Sequence, residues 1–266
     1  MEVAIFKTAD EASRAAACLI GRSLKEKSSG TVLGLATGQT PLGTYEELVK
    51  MHKAAKISFR NVTAFNLDEY VGLEASDPRS YRAYMREHLF SKVDIESARC
   101  FIPDGSTRDP RAECTTYEEK IRKAGGIDLQ LLGLGQDGHI GFNEPSSSLS
   151  SRTRLKTLTH VTRAANAANF GGSEKVPQHV LTMGLGTIME ARHCVLLALG
   201  ANKADAVQKM VEGPLSAMLP ASILQMHPRC TVILDEAAAS GLARQNYYRE
   251  VFAGKPAWQR WDLPLD

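Results

Sequence analysis

The sequence predicts an α/β fold: a doubly wound, mostly parallel open sheet of Rossmann-like type, with helices on both faces. Short β-branched or leucine-rich runs alternate with helix-length segments along the whole chain. Those runs are apolar almost throughout, as strands buried on both faces of a parallel sheet must be. No Pro/Ser-rich linker, internal repeat or low-complexity tract divides the chain, so residues 1–266 are expected to form one domain.

VAIF (3–6) opens as a strand, and DEASRAAACLIGRSLKEK (10–27) follows as a helix with Asp10 and Glu11 in its first turn. TVLGLA (31–36) is the second strand. Pro41 then opens PLGTYEELVKMHKAA (41–55) as a helix, at the position where a missing N–H costs least. NVTAFNL (61–67) is a strand and SYRAYMREHLF (80–90) a helix. AECTTYEEKIRKAGG (112–126) closes with Arg122, Lys123 and then glycines, a helix stop. IDLQLLGLG (127–135), CVLLALG (194–200) and CTVILDE (230–236) are the remaining strands. The segment 146–180 is polar and irregular, with SSSLSSRTR and NFGGSEK, and is expected to be a mobile lid over a site.

Composition narrows the function. Hydrophobic content of 43% and charged content of 23% are those of a globular protein, which excludes disorder and fibrous folds. A net charge of +2, with no RNA-binding or zinc-finger signature, argues against nucleic acid or an anionic membrane as partner. Cys18, Cys100, Cys114, Cys194 and Cys230 are scattered, odd in number and form no CxxC pair. They suit buried thiols in a reducing compartment. With an acidic start where a signal peptide would be basic, and no membrane-length apolar run, the expected location is the cytoplasm.

Three strand ends carry chemistry, and in a parallel sheet all three meet at the carboxyl edge, where ligands bind. In GLATGQTP (34–41), a strand runs into Thr37-Gly38-Gln39-Thr40 and then a helix. Two readings stand: a phosphate cradle on a helix N-terminus, with threonine hydroxyls as extra donors, or an ordinary capping turn. In FNLDEY (65–70), Asp68 and Glu69 follow a buried strand, either as solvated loop charges, as an N-cap or as a general base. In GLGQDGHIGFNEP (133–145), Asp137 and Glu144 flank His139 in a loop whose glycines let backbone approach a ligand. A carboxylate on one ring nitrogen fixes the tautomer and raises the basicity of the other, which makes a proton shuttle. Metal binding by these three residues is disfavoured, because no second histidine stands at ligand spacing.

These stretches, with SFRNVTAFNLDEYVGL (58–73), GLGQDGHIGFNEPSSSLSSRTRLKTLTH (133–160) and VPQHVLTMGLGTIMEA (176–191), resemble the glucosamine-6-phosphate deaminase family. That family lies within the wider superfamily of isomerases and sugar-phosphate lactonases, and the resemblance covers nearly the whole chain. FNLDEY together with DGHIGFNEP is its specific part. The resemblance implies that His139 opens the pyranose ring, held and tuned by Asp137 and Glu144, and that Asp68 abstracts the C2 proton. It implies that Thr37, Gly38, Gln39 and Thr40 hold the phosphate with Lys203, and that no metal or organic cofactor is needed. It also implies a homo-oligomer, up to a hexamer, with an N-acetylglucosamine 6-phosphate activator at Ser147, Arg154, Lys156, Thr157 and Tyr247.

Two positions depart from the family pattern. Gln39 replaces a glycine or serine, which is tolerable where the backbone φ stays negative. Ala168 stands where the family has a phosphate-binding arginine, so Arg163, Arg154 or another cation is expected to compensate. Two alternatives stay open beside amino-sugar-phosphate deamination: a sugar-phosphate lactonase, which needs no C2 base, and a non-catalytic sugar-phosphate sensor.

Overall fold

In the computed structural model, which describes residues 1–27 and 30–265, the strands are β1 (Glu2–Phe6), β2 (Val32–Leu35), β3 (Thr63–Asn66), β4 (Asp68–Tyr70) and β5 (Cys100–Phe101). They continue as β6 (Leu129–Gly133), β7 (Arg154–Thr157), β8 (His179–Thr182), β9 (Cys194–Ala198) and β10 (Cys230–Asp235). The helices are α1 (Ala9–Glu26), α2 (Leu42–Lys53), α3 (Tyr81–His88), α4 (Pro110–Lys123) and α5 (His160–Ala165). α6 (Leu185–Met189), α7 (Ala204–Glu212), α8 (Glu236–Ala239) and α9 (Gln245–Ala253) complete them.

Seven strands pair in parallel in the order β1-β10-β9-β6-β2-β3-β5. Successive side chains along a strand point to opposite faces, so each strand feeds two cores. Leu33, Leu129, Leu131 and Ile233 pack under α1 and α2 on one face. Phe65, Leu132, Leu196 and Val232 pack under α4, α6 and α7 on the other. Each fully buried side chain of this kind stabilises the fold by about 1.5–3 kcal/mol. The doubly wound architecture is the expected one, and all six expected strands are present.

Helix ends follow local chemistry. The Thr8 hydroxyl accepts the Glu11 amide to start α1, and Ser80 accepts the Ala83 amide to start α3. Asp109 caps α4, which begins at Pro110, slightly before the expected 112.

A second sheet was not expected. β4-β8-β7 pair antiparallel, with Asp68 opposite Thr182 and Thr182 opposite Arg154. Asp68 and Glu69 are therefore buried strand residues rather than loop charges. The segment 146–180, expected to be irregular, holds β7, α5 and the first residues of β8. Leu158, Phe170 and Val176 of that segment form a small core with Tyr70, Phe142 and Val180.

Candidate active site

β2 and β6 are neighbours from which the chain runs outward in opposite directions, β2-β3-β5 one way and β6-β9-β10-β1 the other. The crevice at the carboxyl ends of two such strands is where open α/β sheets bind ligands. The turn 37–40 follows β2, the loop 134–145 follows β6, Asp68 follows β3, and Lys203 follows β9. Four contiguous strands thus deliver the four elements that the sequence marks.

The turn after β2 carries Gly38 at φ +95, with no heavy atom within 4 Å of the place a Cβ would take. Gln39 is exposed, and its φ is not positive. No side chain caps the N-terminus of α2, so a side-chain cap is not realised; Leu42 N donates to Gln39 O at 3.4 Å, and no side chain occupies the N–H groups that follow it. Tyr84 Oη donates to Gly38 O at 2.6 Å and braces the turn from behind. Burial depresses the Lys203 ammonium below the usual lysine range, and the Asp137 carboxylate partly offsets this. Lys203 and the loop after β6 therefore share one environment.

In that loop the His139 ring lies on Gly135. A Cβ at residue 135 would meet the imidazole at 2.3 Å, so glycine is required there. Asp137 Oδ1 sits 2.5 Å from His139 Nδ1 and accepts the His139 amide at 3.2 Å. The Nδ1 contact departs from ideal hydrogen-bond geometry. Burial pushes the Asp137 carboxyl up, but its contacts with His139 outweigh that and hold it below the usual range. With Nδ1 facing a carboxylate, Nε2 is the nitrogen left to take and return a proton.

Asp68 meets the same loop. A Cβ on Gly141, two residues past His139, would lie 3.5 Å from Asp68 Oδ2 and 3.1 Å from Thr182 Oγ1. Asp68 is 5% exposed, and burial, aided by the Glu69 carboxyl, pushes it up to about 8. Phe142 N donates to Thr182 Oγ1, while Asn143 Nδ2 donates to Ile140 O and Met183 O, so β8 fixes the loop backbone.

Glu144 takes a different course from the one expected. Its Oε1 accepts Thr159 Oγ1 at 3.0 Å and the Thr162 hydroxyl at short range, and among the described residues no hydrogen bond or ion pair joins it to His139. A reversal at Ile140–Asn143 turns the chain so that residue 144 faces α5. Of the two flanking carboxylates, Asp137 alone touches the imidazole.

Both arginines expected to compensate for Ala168 already hold protein acceptors with part of their guanidinium donors. Arg163 donates to Val176 O and Glu174 O, and Arg154 donates to Asn143 Oδ1 and Arg152 O. Ala168 itself is exposed on a short 3₁₀ turn. Arg154 and Lys156 share one face of β7, and the buried Ser147 Oγ nearby in sequence has no hydrogen-bond partner. Tyr247 is 58% exposed on α9, which packs against β1.

Several site residues escape sequence reasoning. Tyr81 Oη donates to Tyr70 Oη at 3.3 Å, linking the start of α3 to the Asp68 strand. Nothing local pairs these tyrosines, because β4 and α3 meet only in the fold. Thr159 did carry a signal, a threonine just before a helix. Among the described residues, no group of three or more His, Cys, Asp or Glu side chains is placed to hold a metal ion, and no helix is long and apolar enough to cross a membrane.

Known proteins share the family and the fold of this chain. The family model described as glucosamine-6-phosphate isomerases/6-phosphogluconolactonase matches residues 7–233. A glucosamine-6-phosphate deaminase of Arthrobacter sp. (strain FB24) is 53% identical over 259 residues, covering 97% of this chain and 99% of that protein. The solved structure of a monomeric glucosamine-6-phosphate deaminase superposes with a TM-score of 0.89 at 46% identity, over 91% of this chain and 100% of that one. A 6-phosphogluconolactonase from Trypanosoma cruzi shares the fold, with a TM-score of 0.73 at 21% identity over 91% and 97% of the two chains.

Proposed function

The chain belongs to the glucosamine-6-phosphate isomerase/6-phosphogluconolactonase family, and we propose that within it this chain converts D-glucosamine 6-phosphate and water to D-fructose 6-phosphate and ammonium. The observation that carries this reading is Asp68 Oδ2 lying against Gly141 of the His139 loop, a base beside a proton shuttle. His139 Nε2 takes the C1 hydroxyl proton and returns one to the ring oxygen, with Asp137 holding the imidazole. Asp68 then takes the C2 proton, giving an enolamine, and reprotonation at C1 gives an imine. Water adds to the imine carbon, and ammonium leaves. An acid tuned to about 8 ionises near the operating pH, where a base both accepts and returns protons efficiently.

The turn 37–40 and Lys203 would hold the phosphate, with the open N-terminus of α2 supporting that role. An N-acetylglucosamine 6-phosphate activator site at Ser147, Arg154, Lys156 and Thr157 is supported by the unpartnered Ser147 hydroxyl. Tyr247 makes no hydrogen bond, ion pair or ring contact with those four among the described residues, so its part in such a site needs a second copy of the chain in a homo-oligomer. A cytoplasmic setting is supported by five cysteines that are all unpaired.

The test is ammonium release. The purified protein should form ammonium and fructose 6-phosphate in equal amounts from glucosamine 6-phosphate, with galactosamine 6-phosphate and unphosphorylated glucosamine as comparisons. Hydrolysis of 6-phosphogluconolactone without ammonium release would identify a lactonase instead, and folded protein inert on all of them would identify a sensor.

A further inference from the structure

Proton transfer leaves unexplained why hydroxyls of Thr159 and Thr162 bind the Glu144 carboxylate. Glu144 and Thr162 are each 5% exposed. Three donors from the start of α5 converge on Oε1: the Thr162 hydroxyl, the Thr159 hydroxyl and, at 3.5 Å, the Thr159 amide. Thr159 also accepts the Thr162 amide as the N-cap of α5, so one hydroxyl both starts the helix and binds the acid. Beyond α5 the segment braces itself, with Arg163 holding Glu174 O and Val176 O. It is further pinned by Phe170, whose ring packs 5.1 Å from Tyr70 with the Arg79 guanidinium over it.

We propose that Thr162 is a positioning residue that, with Thr159, latches the segment 158–176 onto Glu144, so that docking of this segment and orientation of the Glu144 carboxylate are one event. The proposal rests on the deaminase reading for its catalytic consequence, and the latch itself does not. When the segment is docked, both hydroxyls donate to Oε1 and fix the carboxylate's rotation. When it lifts, the acid loses its buried donors and its orientation together. Hydrogen bonds to an ionised acceptor are stronger than neutral ones, so the two hydroxyls favour the docked state. A valine at 162 keeps the shape of the side chain and removes only the donor, whereas serine keeps the donor.

Backbone hydrogen exchange of the protein without substrate reads the latch directly. In Thr162→Val the amides of residues 160–176 should exchange about ten-fold faster, a change typical of a lost coupling between neighbouring groups. Thr162→Ser should exchange at the wild-type rate. Glu144→Ala should match Thr162→Val, and the double variant should add little to either, because both cut one contact. For turnover, Thr162→Val should raise KM for glucosamine 6-phosphate and lower kcat, each about five-fold, with Thr162→Ser restoring both. Wild-type exchange in Thr162→Val, or an additive double variant, overturns the proposal. Should Thr162→Val fold poorly, Thr159→Val in the same cycle with Glu144→Ala gives the same decision. Wild-type protein that shows the coupling but releases no ammonium refutes the deaminase reading and leaves the latch standing.

Discussion

Asp68 owes both its chemistry and its cost to burial. A free aspartate ionises near 3.9, whereas here burial and then the Glu69 carboxyl push the group up to about 8. Because the folded value is raised, folding takes up a proton between about pH 4 and about 8. The contribution of Asp68 to stability is therefore intact below about 4 and declines as the pH rises to about 8, where the charged form sits in a buried site. Asp68→Asn removes that charge. Its melting temperature should exceed that of the wild type by about 3 °C or more at pH 8.5, with the gap closing at pH 5, while ammonium release falls by about a thousand-fold or more at either pH. In the wild type, kcat/KM should climb with pH toward about 8 as the base ionises. A melting difference that ignores pH would show that Asp68 is not held protonated by the fold.

β4 shows how one short element ties the site to the scaffold. Glu69 Oε1 accepts the amides of Tyr70 and Tyr81, and Oε2 accepts that of Arg82. A carboxylate at the end of one sheet thereby satisfies the opening turn of α3, and Asp68 is placed by that tether. Burial raises the Glu69 carboxyl, and these three amides oppose the rise. Glu69→Ala leaves helix-start donors without an acceptor and should cost about 2 kcal/mol, read as a melting temperature lowered by about 4–8 °C, with kcat reduced as Asp68 loosens. Melting within a degree of the wild type would remove the tether from the account. The same element marks the limit of what a sequence discloses. The six long parallel strands were legible because two-sided burial writes an unbroken apolar run. Three-residue β4 follows β3 after Leu67 alone, and β7 alternates half-buried with exposed residues, so neither writes such a run. Asp137 and His139 were legible as a pair because they are neighbours in the chain. The partners of Glu144 were not, since Thr159 and Thr162 reach it only after the chain has passed through β7 and turned into α5.

For the molecule as a whole, the open edge of the seven-stranded sheet at β1 has to be covered, because an unpaired strand edge invites association. α9 packs on β1, and the residues after it cross back over α1. Lys255 and Trp261 Nε1 both bind Glu2, the Arg22 guanidinium holds Trp261 O and Leu263 O, and Lys56 Nζ donates to Leu265 O at 2.5 Å. Leu265, 5% exposed, seats where Gly21 has no side chain; a Cβ at 21 would lie 2.6 Å from its methyl carbon. Next to it is a cavity of about 480 Å³ lined by Cys18, Met51 and Leu265, away from the carboxyl ends of β2 and β6. Cutting Leu265 back enlarges that space and leaves the strand ends untouched. Leu265→Ala should cost about 2–4 kcal/mol and lower the melting temperature by about 5–10 °C, with kcat and KM for glucosamine 6-phosphate unchanged below the transition. A fall in kcat/KM at a temperature where the variant is fully folded would mean that this strap shapes the site as well as the fold.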